Sequence, residues 1–266
     1  NRISIGVQDV NETVQTLINR AQPAEQVRTV VDQCRAAGFR SINFDVIYGL
    51  PGQAQASVAE TLAFVRMMRP ERVAAFGYAH LPERLKAQRA IDSARLPTPE
   101  QRLQMRDTIE DELCAAGYVA IGLDHFALPT DGLARAFSDG SLYRNFQGYT
   151  THAGCDMIGF GVSAISRIGR LFAQNTKSQD QYVEELGCHR WPVECGYCQS
   201  SEDRAREQII MGLMCHHPVN IAAVTRQYGL CDHHFDPCLE AVKKLSGNDY
   251  AFTTYQDGIL SVTELG

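Results

Sequence analysis

The sequence predicts an α/β fold, a partial (β/α) barrel followed by a small C-terminal helical module with a winged-helix-like hairpin. Three observations carry this. Short apolar strand runs alternate with helical stretches through the first half of the chain, these runs end repeatedly in polar residues, and after about Ser178 the pattern changes to helices with a final hairpin. Such alternation implies parallel pairing through right-handed crossovers. A complete eightfold barrel takes about 250 residues, so the strand-helix units read here make only part of one.

The first strand is Arg2-Ile-Ser-Ile-Gly-Val7, where Ile3, Ile5 and Val7 alternate before Gln8 and Asp9. A helical run follows from about Glu12 to Gly38. Ser41 to Ile47 is the second strand; it enters Tyr48-Gly-Leu-Pro-Gly52, and a helix is expected over Ser57 to Met68. Arg72 to Phe76 is the third, leading into Tyr78-Ala-His80-Leu-Pro82. Thr98 before Pro99 marks a helix start, and that helix runs to about Ala116 with Gly117 as its stop. Tyr118 to His125 reads as a fourth strand. At the far end, Tyr250 to Tyr255 and Ile259 to Val262 pair through Asp257-Gly258, a strong turn signal. Domains are expected at 1–175, the barrel part with its following segment, and at 176–266, the small module.

The chain has 266 residues, 44% hydrophobic and 21% charged, which is the composition of an ordinary globular protein. Its formal net charge of -6 argues against a nucleic-acid surface, which needs clustered Lys and Arg, and means that an anionic ligand requires locally placed cations. No apolar run approaches the roughly 20 residues that span a bilayer. The nine cysteines, odd in number and dispersed, fit a reducing compartment rather than a disulfide framework. A cytoplasmic monomer without membrane or nucleic-acid partners is expected. Because the chain opens on a strand without Met and stops just after one, it is expected to be a fragment.

The segment Asn1 to Asp9, then Asn19-Arg20, then Asn43-Phe-Asp45-Val-Ile-Tyr-Gly-Leu-Pro-Gly52, resembles the radical S-adenosylmethionine enzymes of the coproporphyrinogen oxidase group. Haem chaperones of the same superfamily share these motifs. Further on, Tyr78-Ala-His80-Leu-Pro82, Gly122-Leu-Asp-His-Phe-Ala127, Arg144-Asn-Phe-Gln-Gly-Tyr-Thr-Thr151 and Gly159 to Ser166 are similar to the oxidase, not the chaperone. The resemblance spans about residues 1 to 175. It implies a barrel of the radical S-adenosylmethionine type and anaerobic oxidative decarboxylation of coproporphyrinogen III to protoporphyrinogen IX. It also implies two S-adenosylmethionine molecules, a 4Fe-4S cluster and an electron donor to that cluster.

Position by position, Gln8, Arg20, Asp45 and Ala79 match family residues lining one S-adenosylmethionine, Ile165 matches a contact to a second, and Phe146 and Gln147 match residues near the active centre. The residue types suit the ligand. Arg20 offers a planar fork for the cofactor carboxylate, Asp45 accepts from its ribose hydroxyls or ammonium, Gln8 both donates and accepts, and Ile165 offers an apolar face to adenine. Arg144 is the candidate cation for a substrate propionate. The cluster-binding Cys-x3-Cys-x2-Cys run does not occur in the sequence. The family places it before the segment matching Asn1, so the chain alone is expected to be inactive.

Plainer readings compete. Cys195-Gly-Tyr-Cys198, with Cys188-His189, Cys215-His-His217 and Cys231-Asp-His-His234, is compatible with a zinc-stabilised binding module, but the spacings are irregular and no metal ligand is assigned. His80 and His125 fit a structural role as well as a functional one. Arg20 reads by composition as a solvated Arg near a helix C-terminus, and only the resemblance lifts it. Asp45, in an otherwise apolar strand, must be paired or bind something.

Overall fold

The computed structural model describes residues 1–146, 148–245 and 252–263. Its contacts divide the chain into two compact units, Asn1–Ser141 and Leu142–Gly266. The expected boundary at 175/176 falls inside a sheet, because Leu171–Asn175 pairs with Val193–Cys198.

The first unit opens with β1 (Arg2–Gln8), and Asn11 then caps α1 (Glu12–Leu17) by accepting from the Thr13 and Val14 amides. The single helix expected from Glu12 to Gly38 is two. Asn19 turns left-handed at φ 53°, and Pro23, which has no N–H to donate, starts α2 (Ala24–Ala36). β2 (Ser41–Tyr48), α3 (Gln55–Met68) and β3 (Arg72–Gly77) follow as the apolar pattern predicts. Two short 3-10 turns, Lys86–Ala90 and Ser93–Arg95, precede α4 (Pro99–Ala115), whose Thr98 and Gln101 side chains exchange hydrogen bonds with each other's backbone amides.

The fourth expected strand is instead a hairpin, β4 (Val119–Gly122) and β5 (His125–Ala127), followed by α5 (Gly132–Ser138). Gly122 at φ 144° and Leu123 at φ 48° reverse the chain, a break that the apolar pattern hides. The sheet order is β1-β2-β3-β5-β4. Pairing is parallel from β1 to β3 and antiparallel at β3/β5 and β5/β4, so the all-parallel expectation holds for three strands only. Two antiparallel steps return β4 to the direction of β3. The hairpin turn at Leu123 and Asp124 therefore lies on the same sheet edge as the C-terminal ends of β1, β2 and β3.

One face of this sheet builds the core. Ile5, Val7, Ile42, Phe44, Val46, Val73 and Ala75 are buried against Val27 and Val31 of α2, Leu62 and Val65 of α3, and Met105, Ile109 and Leu113 of α4. Each large side chain so buried contributes roughly 1.5–3 kcal/mol. At the opposite sheet edge, Asp131 caps α5 through the Leu133 amide, accepts from Ser41 Oγ at 2.9 Å, and pairs with Arg72 at 2.8 Å. Burial raises the Asp131 carboxyl pKa, but the hydrogen bonds from Arg72 and Leu133, the Arg72 charge and the Ser41 hydroxyl outweigh it and hold it below the usual carboxylate value.

The second unit carries the hairpin β6 (Tyr143–Asn145) and β7 (Gly148–Thr150), then β8 (Ile165–Ile168), β9 (Leu171–Asn175), α6 (Gln179–Gly187) and β10 (Val193–Cys198). The last three strands form an antiparallel sheet in the order β10-β9-β8. Then come α7 (Ser201–Met214), β11 (Val219–Asn220), α8 (Ile221–Gln227), α9 (Asp236–Leu245), β12 (Thr253–Gln256) and β13 (Ile259–Val262). Helix, short strand, two helices and a hairpin are the element order of a winged helix. The module has its own core, with Ala205, Val219, Val224, Phe235, Leu239 and Leu260 buried together. The expected first residues of the hairpin, Tyr250 and Ala251, lie outside the described residues.

Candidate functional site

The sheet face opposite the helices stays open. Strand alternation puts Ser4 and Gly6 on it from β1, and the register sets Asn43 and Asp45 beside them; between Gly6 and Gln8 the register slips, and Gln8 pairs with Val46. Asp45 is held in place: one carboxylate oxygen accepts from Ser4 Oγ at 2.7 Å and the other from Asn43 Nδ2 at 2.7 Å. Further across, Ala74 lies beside Asp45 in register, and His125 beside Ala74 meets Phe76 edge to face at 5.9 Å between ring centroids.

Arg20 reaches this face because α1 stops short of it. After Leu17 the chain turns at Asn19, the Arg20 amide donates to Gln15 O at 2.8 Å, and the guanidinium extends to Gly6, whose carbonyl accepts from Nη2 at 3.0 Å. No ion pair among the described residues engages Arg20. Gly6 makes the approach possible. A Cβ there would stand 2.6 Å from Gln8 Nε2 and 3.0 Å from Arg20 Nη2. Gln8 itself adopts φ 63°, and its Oε1 is buried with no hydrogen-bond partner. Gln8, Arg20 and Asp45 are thus brought together around one glycine.

Asp9, grouped with Gln8 in the sequence as strand-end decoration, points the other way. It is fully buried, accepting from the Asn11 amide at 2.7 Å and from Gln53 Nε2 at 2.6 Å. Burial pushes its carboxyl pKa up, against those two hydrogen bonds. Gln53 also donates to Ile47 O and accepts from the Leu50 amide, while Gln15 bonds Asp9 O and Gln22. Sequence reasoning missed these two glutamines. They pin the Tyr48–Gly52 loop and the turn to Arg20, and a Gln in a helical or loop run gives no outward sign that it will be buried.

Ala79 follows β3 in a loop, exposed, its carbonyl accepting from Gln88 Nε2 at 2.9 Å. His80 is held by Tyr78 Oη at 3.3 Å and Ser93 Oγ at 3.1 Å, so both ring nitrogens serve the loop.

In the second unit, Arg144 on β6 stacks over Tyr149 at 5.5 Å and approaches Met214 Sδ at 3.9 Å; its Nε is buried without a partner. Tyr149 Oη donates to Met214 O at 2.6 Å, fixing the hairpin. Phe146 at the hairpin tip is 43% exposed, and Gln147 lies outside the described residues. Ile165, on β8 opposite Gln174, is half-buried. Nearby Cys215 is buried, which pushes its thiol up to about 11 although the Arg144 charge pulls it down.

The zinc-module alternative finds little here. Cys195 and Cys198 both sit on extended β10, where residues three apart face opposite sides, and His233 and His234 are engaged by Asp236 and Glu202. All nine thiols are free, and no group of three or more side chains able to hold a metal occurs among the described residues.

A radical S-adenosylmethionine superfamily profile matches residues 1–65. The chain is 46% identical over 230 residues to the oxygen-independent coproporphyrinogen III oxidase of Pseudomonas aeruginosa, covering 86% of this chain and 50% of that protein. It is 42% identical to the Escherichia coli oxidase over its whole length and 56% of the relative's, and 41% identical to that of Thermostichus vulcanus, covering 93% of this chain and 77% of the other. The solved structure of the Escherichia coli coproporphyrinogen III oxidase, described as a radical SAM enzyme, superposes with a TM-score of 0.89 at 39% identity over 99% of this chain and 60% of that one. The chain spans about half the length of the first two relatives. On this sequence and structural likeness, the chain belongs to the family of oxygen-independent coproporphyrinogen III oxidases within the radical S-adenosylmethionine superfamily.

Proposed function

We propose that the chain supplies the cofactor-holding and substrate-facing part of an enzyme that oxidatively decarboxylates coproporphyrinogen III to protoporphyrinogen IX without oxygen. The carrying observation is the convergence of Gln8, Arg20 and Asp45 around Gly6, with the buried Gln8 Oε1 left without a partner. These residues fit S-adenosylmethionine. Arg20 pairs with its carboxylate, Gln8 Oε1 accepts from its ammonium or a hydroxyl, and Asp45, pre-oriented by Ser4 and Asn43, accepts from the ribose. When bound, S-adenosylmethionine supplies the radical that takes hydrogen from a substrate propionate.

By the resemblance, Ala79 lines that same cofactor, Ile165 contacts a second S-adenosylmethionine, Phe146 and Gln147 belong to the active centre, and Arg144 is the cation for a substrate propionate. The 4Fe-4S cluster does not fit this chain. Its cysteine spacing does not occur in the sequence, and the described residues hold no equivalent set, so no step here runs through it. An external electron donor, a cytoplasmic setting and a monomeric state complete the reading; no helix among the described residues is long and apolar enough to cross a membrane.

The test joins the chain to the cluster-bearing segment of a relative and assays anaerobic formation of protoporphyrinogen IX. Arg20→Ala and Asp45→Asn are each expected to weaken S-adenosylmethionine binding by about 1.5–3 kcal/mol with cluster content unchanged. Unaltered affinity in both variants would return these residues to the scaffold. Tight haem binding with no vinyl product would favour the chaperone reading instead.

A further inference from the structure

The second unit contains a concave site of about 330 Å3 whose walls include Tyr143 of β6, His152, Asp156, Arg167 of β8, Arg170 at the β8–β9 turn, and Arg204 of α7. Three guanidiniums on one small cleft are unusual in a chain of net charge -6. Their partners differ. Arg167 is committed, pairing with Glu207 at 2.7 Å and donating to Tyr143 Oη at 3.2 Å, with both side chains of the ion pair mostly buried. Asp156 accepts from the Gly169 amide at 2.7 Å, a neutral donor, so its charge also stays in the wall and the cleft sets three guanidiniums against one carboxylate.

Unlike Arg167, Arg170 and Arg204 are not committed. Neither takes part in an ion pair among the described residues, and Arg204 lies 5.1 Å from the Tyr228 ring centroid, a contact that orients the guanidinium without neutralising it. Two guanidiniums outside any ion pair, with Asp156 the one carboxylate in the wall beside them, leave an excess of positive charge that concentrates anions, and their planar forks match a carboxylate in two-point contact.

We propose that this cleft is a carboxylate-binding site, with Arg170 and Arg204 as the binding cations and Arg167, braced by Glu207, as a positioning residue. Resting on the function proposed above, its ligand is a propionate arm of the tetrapyrrole. Tyr143 and Asn145 in its wall belong to the same hairpin as Arg144 and Phe146, the segment assigned to the substrate. A cleft of this size takes one carboxylate arm and its stem rather than a whole macrocycle.

The experiment titrates the 266-residue chain with coproporphyrin III, its tetramethyl ester, citrate and inorganic phosphate, using fluorescence and calorimetry. Wild type is compared with Arg170→Gln/Arg204→Gln and with the control Arg190→Gln, whose guanidinium pairs with Glu185 on α6. Coproporphyrin III is expected to bind the wild type and the control alike, and about tenfold or more weaker to the double variant, as loss of a charge-assisted pair implies. The uncharged ester should bind the wild type as weakly. If the double variant loses its far-UV spectrum, Arg170→Gln alone, at an exposed position, carries the comparison. Arginine-dependent binding of citrate or phosphate, without coproporphyrin III, would keep the anion site and overturn the tetrapyrrole ligand. Equal affinities of wild type and double variant for every anion would overturn the site itself.

Discussion

Asp9 and Asp131 are both buried carboxylates, and their surroundings drive them in opposite directions. Asp9 meets only neutral donors and titrates high, whereas Asp131 has the Arg72 guanidinium and titrates low. Between the folded and unfolded values of Asp131 the unfolded chain binds more protons. The stability from this pair is therefore complete above the unfolded carboxylate value of 3.8 and is lost as pH falls through the lower folded value. Arg72→Met leaves the Asp131 charge buried without its partner and is expected to cost about 3–5 kcal/mol at neutral pH in urea unfolding, since breaking a buried pair exposes the desolvation penalty of the survivor. The gap to wild type should shrink on acidification, because Asp131 without Arg72 takes up a proton at a higher pH than the paired carboxylate does. A pH-independent gap would show that the charge pair is not its source.

Among the elements, β10 decides what the Cys195-Gly-Tyr-Cys198 motif can do. Read along the sequence, two cysteines three apart invite a metal or a redox pair. On an extended strand they lie roughly 10 Å apart at about 3.3 Å per residue, beyond the roughly 7 Å that a disulfide tolerates, and they face opposite sides. Mild oxidation is expected to leave no Cys195–Cys198 disulfide by mass spectrometry, and the double Ser variant should melt within about 1 °C of wild type, the small effect usual for surface changes. A disulfide in high yield would require β10 to leave its pairing with β9. The β4–β5 hairpin teaches the same lesson: Tyr118 to His125 has an unbroken strand pattern, yet the backbone at Gly122 and Leu123 cuts it in two.

Among the described residues, one hydrophobic core is formed by residues from Ile5 to Leu128 and another is centred on α7, α8, α9 and β13. Because the first core draws no residue from beyond Leu128, residues 1–141 produced alone are expected to fold, with a cooperative thermal transition by circular dichroism. A random-coil spectrum would show that this core depends on the second unit.

The sequence alone determined the alternation of β1 to β3 with their helices, the capped start of α4, the order of the C-terminal module and the family. Each is written in local periodicity, in cap and turn chemistry, or in contiguous motifs. The convergence of Gln8, Arg20 and Asp45 was legible only through the resemblance, since Arg20 by composition is a solvated residue after a helix. Only the tertiary structure decided that Asp9 turns inward while Gln8 reaches back to Gly6, that Gln15 and Gln53 brace the turns around them, and that Arg170 and Arg204 share a cleft yet stand outside every ion pair among the described residues. These outcomes depend on which polar groups packing desolvates and on which distant residues it brings within a few ångströms, and neither is encoded at short range along the chain.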